Sequence, residues 1–200
     1  MFISIFVFIL VLSVHEFAHG YAAYRLGDTT ARDAGRLTLN PLAHIDPVGT
    51  VMLPAMLAIT HSPVIFGWAK PVPIDPRNFK DPAKGMLLTS LAGPASNFLL
   101  AFLFGMILRT HLFAAYSALW SFLVSGIMIS LVLGIFNLVP IPPLDGSGIL
   151  AALLPPKAAV KFMLMRKYGF IVLIGLLYLG LFDRVILPLV RFLTKVILSL

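Results

Sequence analysis

The 200-residue chain contains no cysteine, which excludes disulfides and thiolate metal sites; any bound metal must be held by His, Asp or Glu. Acidic residues are scarce, with seven aspartates and a single glutamate, Glu16. Charged residues of both signs make up only 12% of the chain. Repeats with periods of about 20–50 residues are missing, as are low-complexity linkers, so one domain over residues 1–200 is expected. The net charge is +7, but the basic residues punctuate apolar runs and form no patch interleaved with aromatics. That pattern suits anionic lipid head groups and predicts no nucleic-acid partner. The first apolar run has no basic leader and is too long for a cleavable signal peptide.

What remains is apolar: 60% hydrophobic residues and a mean hydropathy of +0.99, the composition of a polytopic membrane protein. Spans are expected at about residues 2–24, 86–108 and 117–139. A further apolar run covers about 168–182. The tail beyond Asp183 carries basic residues at 184, 191 and 195 within one helical sector and reads as an interfacial helix. Residues 48–66 are apolar but interrupted by Gly49, Pro54, His61 and Pro63, compatible with a full span, a hairpin or a re-entrant segment. Arg36 to Leu39 alternates as a short strand would. The proline-rich, basic stretch 67–85 reads as an extended loop or short strands. The fold class is therefore an all-α membrane protein: a three-helix core at about 2–154, a re-entrant or short-strand segment after the first helix, then a C-terminal span and interfacial helix.

Inside the first run lies His15-Glu16-Phe17-Ala18-His19. Ionisable residues are costly in such a segment and mark a functional site. At i and i+4 of a helix both imidazoles project from one face and can share a metal ion, with Glu16 placed to act as general base on water. In the second run, Pro94 should kink the helix, and Asn97 needs a hydrogen-bonding partner. Asn97 serves either as interhelical glue or directly in catalysis. The third run ends in Asn137-Leu138-Val139-Pro140-Ile141-Pro142-Pro143-Leu144-Asp145-Gly146, where the prolines force extended backbone. Asp145 after that break is the best candidate for a third metal ligand. Asn137 is either an oxyanion donor beside the broken backbone or a structural amide at the helix end. His44, between Asn40-Pro41 and Asp46-Pro47, is a loop histidine that could reach the metal site.

Three basic residues fall at 25–36, four at 70–84, one at 109 and four at 157–167. If 48–66 does not cross completely, this splits them eleven (3 + 4 + 4) against one, as the positive-inside rule favours. The N-terminus is then outside, and the site opens towards the cytoplasm.

Together these motifs resemble the site-2 protease family of intramembrane zinc metalloproteases, peptidase family M50. His15-Glu16-Phe17-Ala18-His19 is similar to its H-E-x-x-H, Gly93-Pro94-Ala95-Ser96-Asn97 to its G-P-x-x-N, and Asn137 to Gly146 to its N-x-x-P-x-x-P-L-D-G element. The resemblance implies one zinc per chain on His15, His19 and Asp145, water activation by Glu16, and a substrate or oxyanion contact by Asn137. It implies transmembrane protein substrates cut within the bilayer of a prokaryotic inner membrane, with PDZ- or CBS-type regulation either absent or lying in a membrane partner. PDZ and CBS modules common among relatives do not fit in this chain, which is similar to the compact branch. The stretch 67–85, or residues 36–39, could hold an unwound substrate by strand addition. The alternative class is a non-proteolytic divalent-metal carrier, since buried His and Asp in broken helices also describe transporters. Glu16 discriminates, because a carrier needs no general base beside a ligand.

Overall fold

The computed structural model describes residues 2–60, 67–110 and 117–199. Among the described residues, nine α-helices follow in order: α1 (Phe2–Arg25), α2 (Thr30–Asp33), α3 (Leu53–Ile59), α4 (Pro82–Arg109), α5 (Ala118–Asn137), α6 (Asp145–Leu153), α7 (Pro156–Leu164), α8 (Arg166–Tyr178) and α9 (Leu187–Ser199). Three of them, α1, α4 and α5, are long and apolar enough to cross a membrane. No strand occurs among the described residues.

Helix ends are set by local chemistry. Asp81 accepts the Lys84 N–H at the start of α4 and is followed by Pro82, which lacks the N–H that a first-turn residue would leave unpaired. Ser117 caps α5 through the Trp120 N–H. The α5 helix stops at Asn137, three residues before Pro140. Pro94 does not end α4, which runs through it as one 28-residue helix.

The core is shared by all three long helices. Val7 and Val11 of α1 meet Ala101 and Phe104 of α4 and Leu123, Ile127 and Leu131 of α5, all buried. Small residues allow close approach: a Cβ at Gly126 would strike the Phe104 ring, and one at Gly105 would overlap Ile197 of α9. The chain breaks after α8 at Gly180, whose φ of +93° suits a residue without Cβ, and the two halves of the pair meet at 66°. Beyond the break Ile186 and Val190 enter the same core, while Arg184, Arg191 and Lys195 stay exposed. The apolar face of the tail thus lies on α4 and α5.

The segment after α1 differs from the short strand expected at 36–39. No ladder forms there; Arg36 instead donates from its guanidinium Nη2 to Lys70 O at 2.7 Å. The facing residues Pro71 and Pro73 have no N–H to contribute to one. Residues 47–59 are helical, and the apolar helix Pro47–Leu57 is shorter than a span. Residues 61–66, including His61 and Pro63, lie outside the described residues.

Residues 67–75 form an extended strap fastened at both ends. Trp68 N–H donates to Gly49 O and Lys70 N–H to His44 O. At the far end the fully buried Asp28 accepts the Asp75 N–H and the Asn78 side-chain amide, both at 2.8 Å, and the Thr30 N–H and hydroxyl. Burial pushes the Asp28 carboxyl towards the neutral form, but these donors outweigh it and hold its pKa below the usual carboxylate range. A depressed folded pKa stabilises above the unfolded value and fades as pH falls through about 4 and below. Asp28→Ala should therefore free the strap, each lost hydrogen bond to a buried charge costing about 1.5–3 kcal/mol. Limited proteolysis of residues 67–80 in detergent should accelerate in the variant at neutral pH, and in the wild type only under acid.

Candidate metal centre

His15 and His19 lie one turn apart on the buried face of α1, and α4 passes directly over them. Thr89, Gly93 and Asn97 are spaced at four-residue intervals and form one stripe of α4 facing the two imidazoles. His19 Nδ1 lies 2.7 Å from Thr89 O. A carbonyl only accepts, so Nδ1 carries a proton, and the neutral ring then has its lone pair on Nε2. His15 Nδ1 lies 3.0 Å from the Asn97 side-chain nitrogen. Between these contacts sits Gly93, where a Cβ would overlap the His19 ring and crowd His15.

Asp145 arrives from the other side as the first residue of α6. A Cβ at Gly146 would strike the carbonyls of Leu138 and Val139, and one at Gly148 the Ser90 hydroxyl, so α6 packs tightly on the loop and on α4. The Asp145 carboxylate lies 3.1 Å from His15 Nε2 and 3.2 Å from His19 Nε2, while the two Nε2 atoms are 3.0 Å apart. Its Oδ2 is buried without an oriented hydrogen bond. The two contacts use different carboxylate oxygens, Oδ2 towards His15 and Oδ1 towards His19. One ligand atom from each of the three residues lies within 4.8 Å of the other two, close enough for all three to share one ion. Among the described residues these three form the group of metal-ligating side chains.

Glu16 is buried beside them, and its Oε2 accepts the Val72 N–H of the strap at 2.9 Å. Asn137 is half-buried and donates from Nδ2 to Leu133 O, one turn back in its own helix, at 3.0 Å. His44 is buried rather than on the surface. Its Nε2 bonds to Thr38 O at 2.8 Å, and it is not one of the three clustered ligands. Sequence reasoning supplied Asn97 with a need for a partner but not with the partner. It missed the Thr89 carbonyl and the Val72 N–H altogether, because main-chain groups leave no mark in a residue pattern. The i, i+4, i+8 spacing of Thr89, Gly93 and Asn97 was the one available sign.

A cluster of two buried histidines and a half-buried aspartate with an adjacent glutamate, set among helices of membrane-spanning length, is the constellation of a membrane-embedded metal hydrolase. Comparison with known proteins narrows this. The family model described as Peptidase family M50 matches residues 107–176, which include Asn137 and Asp145. The chain is 42% identical over 190 residues to the protein of Bacillus subtilis (strain 168) named "Putative zinc metalloprotease YwhC", covering 92% of this chain and 83% of that one. It is 31% identical over 185 residues to "Putative zinc metalloprotease Rip2" of Mycolicibacterium smegmatis, covering 89% and 70%. No solved structure matches. The chain belongs to peptidase family M50, the site-2 protease family of zinc metalloproteases.

The close contact at Gly93 gives a direct test. Gly93→Ala raises helix propensity by about 0.8–1 kcal/mol in the interior of α4 but forces the added methyl into the imidazoles. Retained helix content by circular dichroism, together with zinc lost to a mild chelator that leaves the wild type loaded, is the expected result.

Proposed function

We propose that this zinc metalloprotease is an endopeptidase that cuts transmembrane segments of other membrane proteins, with His15, His19 and Asp145 as zinc ligands, one ion per chain, and Glu16 as general base. The observation that carries this reading is the convergence of His15, His19 and Asp145, whose ligand atoms lie within 4.8 Å of one another, next to the chain's single glutamate among apolar helices. Zinc bound there supplies Lewis acidity, polarising the scissile carbonyl and bringing the pKa of water towards about 7. Glu16 takes the proton of the attacking water and returns it to the leaving amine. Asn137 stabilises the developing oxyanion once its amide turns from Leu133 O towards substrate. A helical substrate must unwind first, since its carbonyls are otherwise hydrogen-bonded, and a peptide that reaches Glu16 runs alongside the 67–75 strap. The carrier alternative gains nothing here, because family membership and Glu16 both favour hydrolysis.

Three variants of the purified chain, assayed in detergent on a model transmembrane substrate, separate these roles. Glu16→Gln should keep zinc and lose turnover by at least about 10²-fold. Asp145→Ala should lose zinc itself. Asn137→Ala should keep zinc and thermal stability while turnover falls by about 10²–10³-fold. Near-normal cleavage by the Glu16→Gln variant would end the mechanism, and early unfolding of the Asn137→Ala variant would make Asn137 structural.

The site also requires an orientation. The single domain is read as lying in a prokaryotic inner membrane with its basic loops and the opening of the site towards the cytoplasm, and any PDZ- or CBS-type regulation as lying in a membrane partner. Arg36 and Lys70 touch, which supports a segment 48–66 that leaves and returns on one side. Cysteines placed at Arg36 and Arg77 in this cysteine-free chain should react alike with an impermeant reagent, in spheroplasts only after lysis. Labelling of one without the other refutes the re-entrant assignment.

A further inference from the structure

We propose that Asn97 is a positioning residue for the metal ligand His15, and that in the zinc-loaded protein its side-chain oxygen, not its nitrogen, faces His15 Nδ1. This rests on the reading that His15, His19 and Asp145 hold zinc.

The Nε2 atom of His15 is the one that faces the cluster, 3.0 Å from His19 Nε2 and 3.1 Å from the Asp145 carboxylate. To bind a metal it must be a lone pair, so the ring proton must sit on Nδ1 and needs an acceptor. His19 solves the same problem with the Thr89 carbonyl. For His15 the group at that position is the Asn97 amide, 3.0 Å away and fully buried. Of the two ends of an amide, the nitrogen can only donate and the oxygen can only accept.

With the nitrogen turned to His15, the Asn97 oxygen is buried and has no partner. That arrangement puts the ring proton on Nε2, where it opposes metal binding. Turning the amide through half a rotation exchanges two atoms of nearly equal size within the same volume. It gives the His15 Nδ1 proton its acceptor and sacrifices no hydrogen bond at the other end. The displaced nitrogen then points to where the oxygen had nothing. Gly134 of α5 packs against the Asn97 Cβ, and one turn earlier on that helix Ser130 has a fully buried hydroxyl that also lacks a partner. The two imidazoles would thus be fixed alike, each by an oxygen of α4 at four-residue multiples along one stripe.

A role as interhelical glue makes a different forecast, because glue uses either end of the amide. Asn97→Asp retains the acceptor and removes the donor; Asn97→Leu removes both at similar volume. The full chain is purified in detergent, and its zinc dissociation constant is measured against a chromophoric chelator. Metal-free thermal unfolding and the visible spectrum of the cobalt-substituted protein are recorded alongside. The Asn97→Asp variant should bind zinc within about threefold of wild type with an unchanged cobalt spectrum, and the Asn97→Leu variant should bind about 10–100-fold more weakly. Equal weakening in both, unchanged affinity in Asn97→Leu, or an Asn97→Asp variant that fails to fold with zinc present overturns the proposal. Should Asn97→Leu fail to fold, the affinity of Asn97→Asp still decides. Failure of the wild type itself to bind zinc would instead remove the metal reading on which the proposal rests.

Discussion

An imidazole that offers one nitrogen to a metal must keep its proton on the other, and inside an apolar bundle that proton cannot be left to water. The packing of α1 against α4 gives each imidazole a polar neighbour at Nδ1. His19 reaches the Thr89 carbonyl, and His15 reaches the Asn97 amide two helical turns further along α4, so the two helices run in opposite directions. Two polar contacts fix the antiparallel register of the helices more tightly than apolar packing could, since lipid tails and side chains are equally apolar. Gly93 between them is then a steric necessity, because the helices close until its α-carbon rests on the rings.

The third member of the cluster is delivered by a different device. An aspartate on a long helix would be exposed to lipid for most of its rotation, whereas Asp145 follows a proline-broken segment and opens a new helix. There the first-turn N–H groups favour a negative charge. The turn is kept close by residues without side chains: Gly146 lies under the carbonyls of Leu138 and Val139, Gly148 against Ser90, and Gly169 of α8 against the Pro142 carbonyl. The loop between α5 and α6 is thus wedged from three directions, and the carboxylate it carries has little freedom to leave the imidazoles.

Much of this was legible from residues alone. The expected spans at 2–24, 86–108 and 117–139 agree with α1, α4 and α5 within a few residues, because uninterrupted apolar length is a strong signal. The pairing of His15 with His19 followed from helical spacing, and the candidacy of Asp145 from the cost of burying a charge after a helix break. Failure came where main-chain atoms decide. The alternation in Arg36 to Leu39 suggested a strand, but a strand needs a partner ladder, and Pro71 and Pro73 cannot donate to one. The fate of the tail was also hidden, since an amphipathic pattern does not say whether its apolar face meets lipid or protein; here Ile186 and Val190 meet α5.

The strap over Glu16 shows how sparse donors can direct a carboxylate. In Pro71-Val72-Pro73 the flanking prolines have no N–H, so Val72 carries the only main-chain donor of the three. Proline also restricts the residue before it to extended conformations, which fixes the direction in which that donor points. It points at the buried carboxylate of Glu16. Val72 itself is buried, with its side chain close above Gly20, so the donor is pressed down onto α1. The fastenings to Gly49, His44 and Arg36 on one side and to Asp28 on the other hold the strap across the helix. Orientation of the single glutamate therefore depends on a buried aspartate twelve residues away in sequence. That aspartate touches neither Glu16 nor the metal ligands and acts through the backbone it anchors.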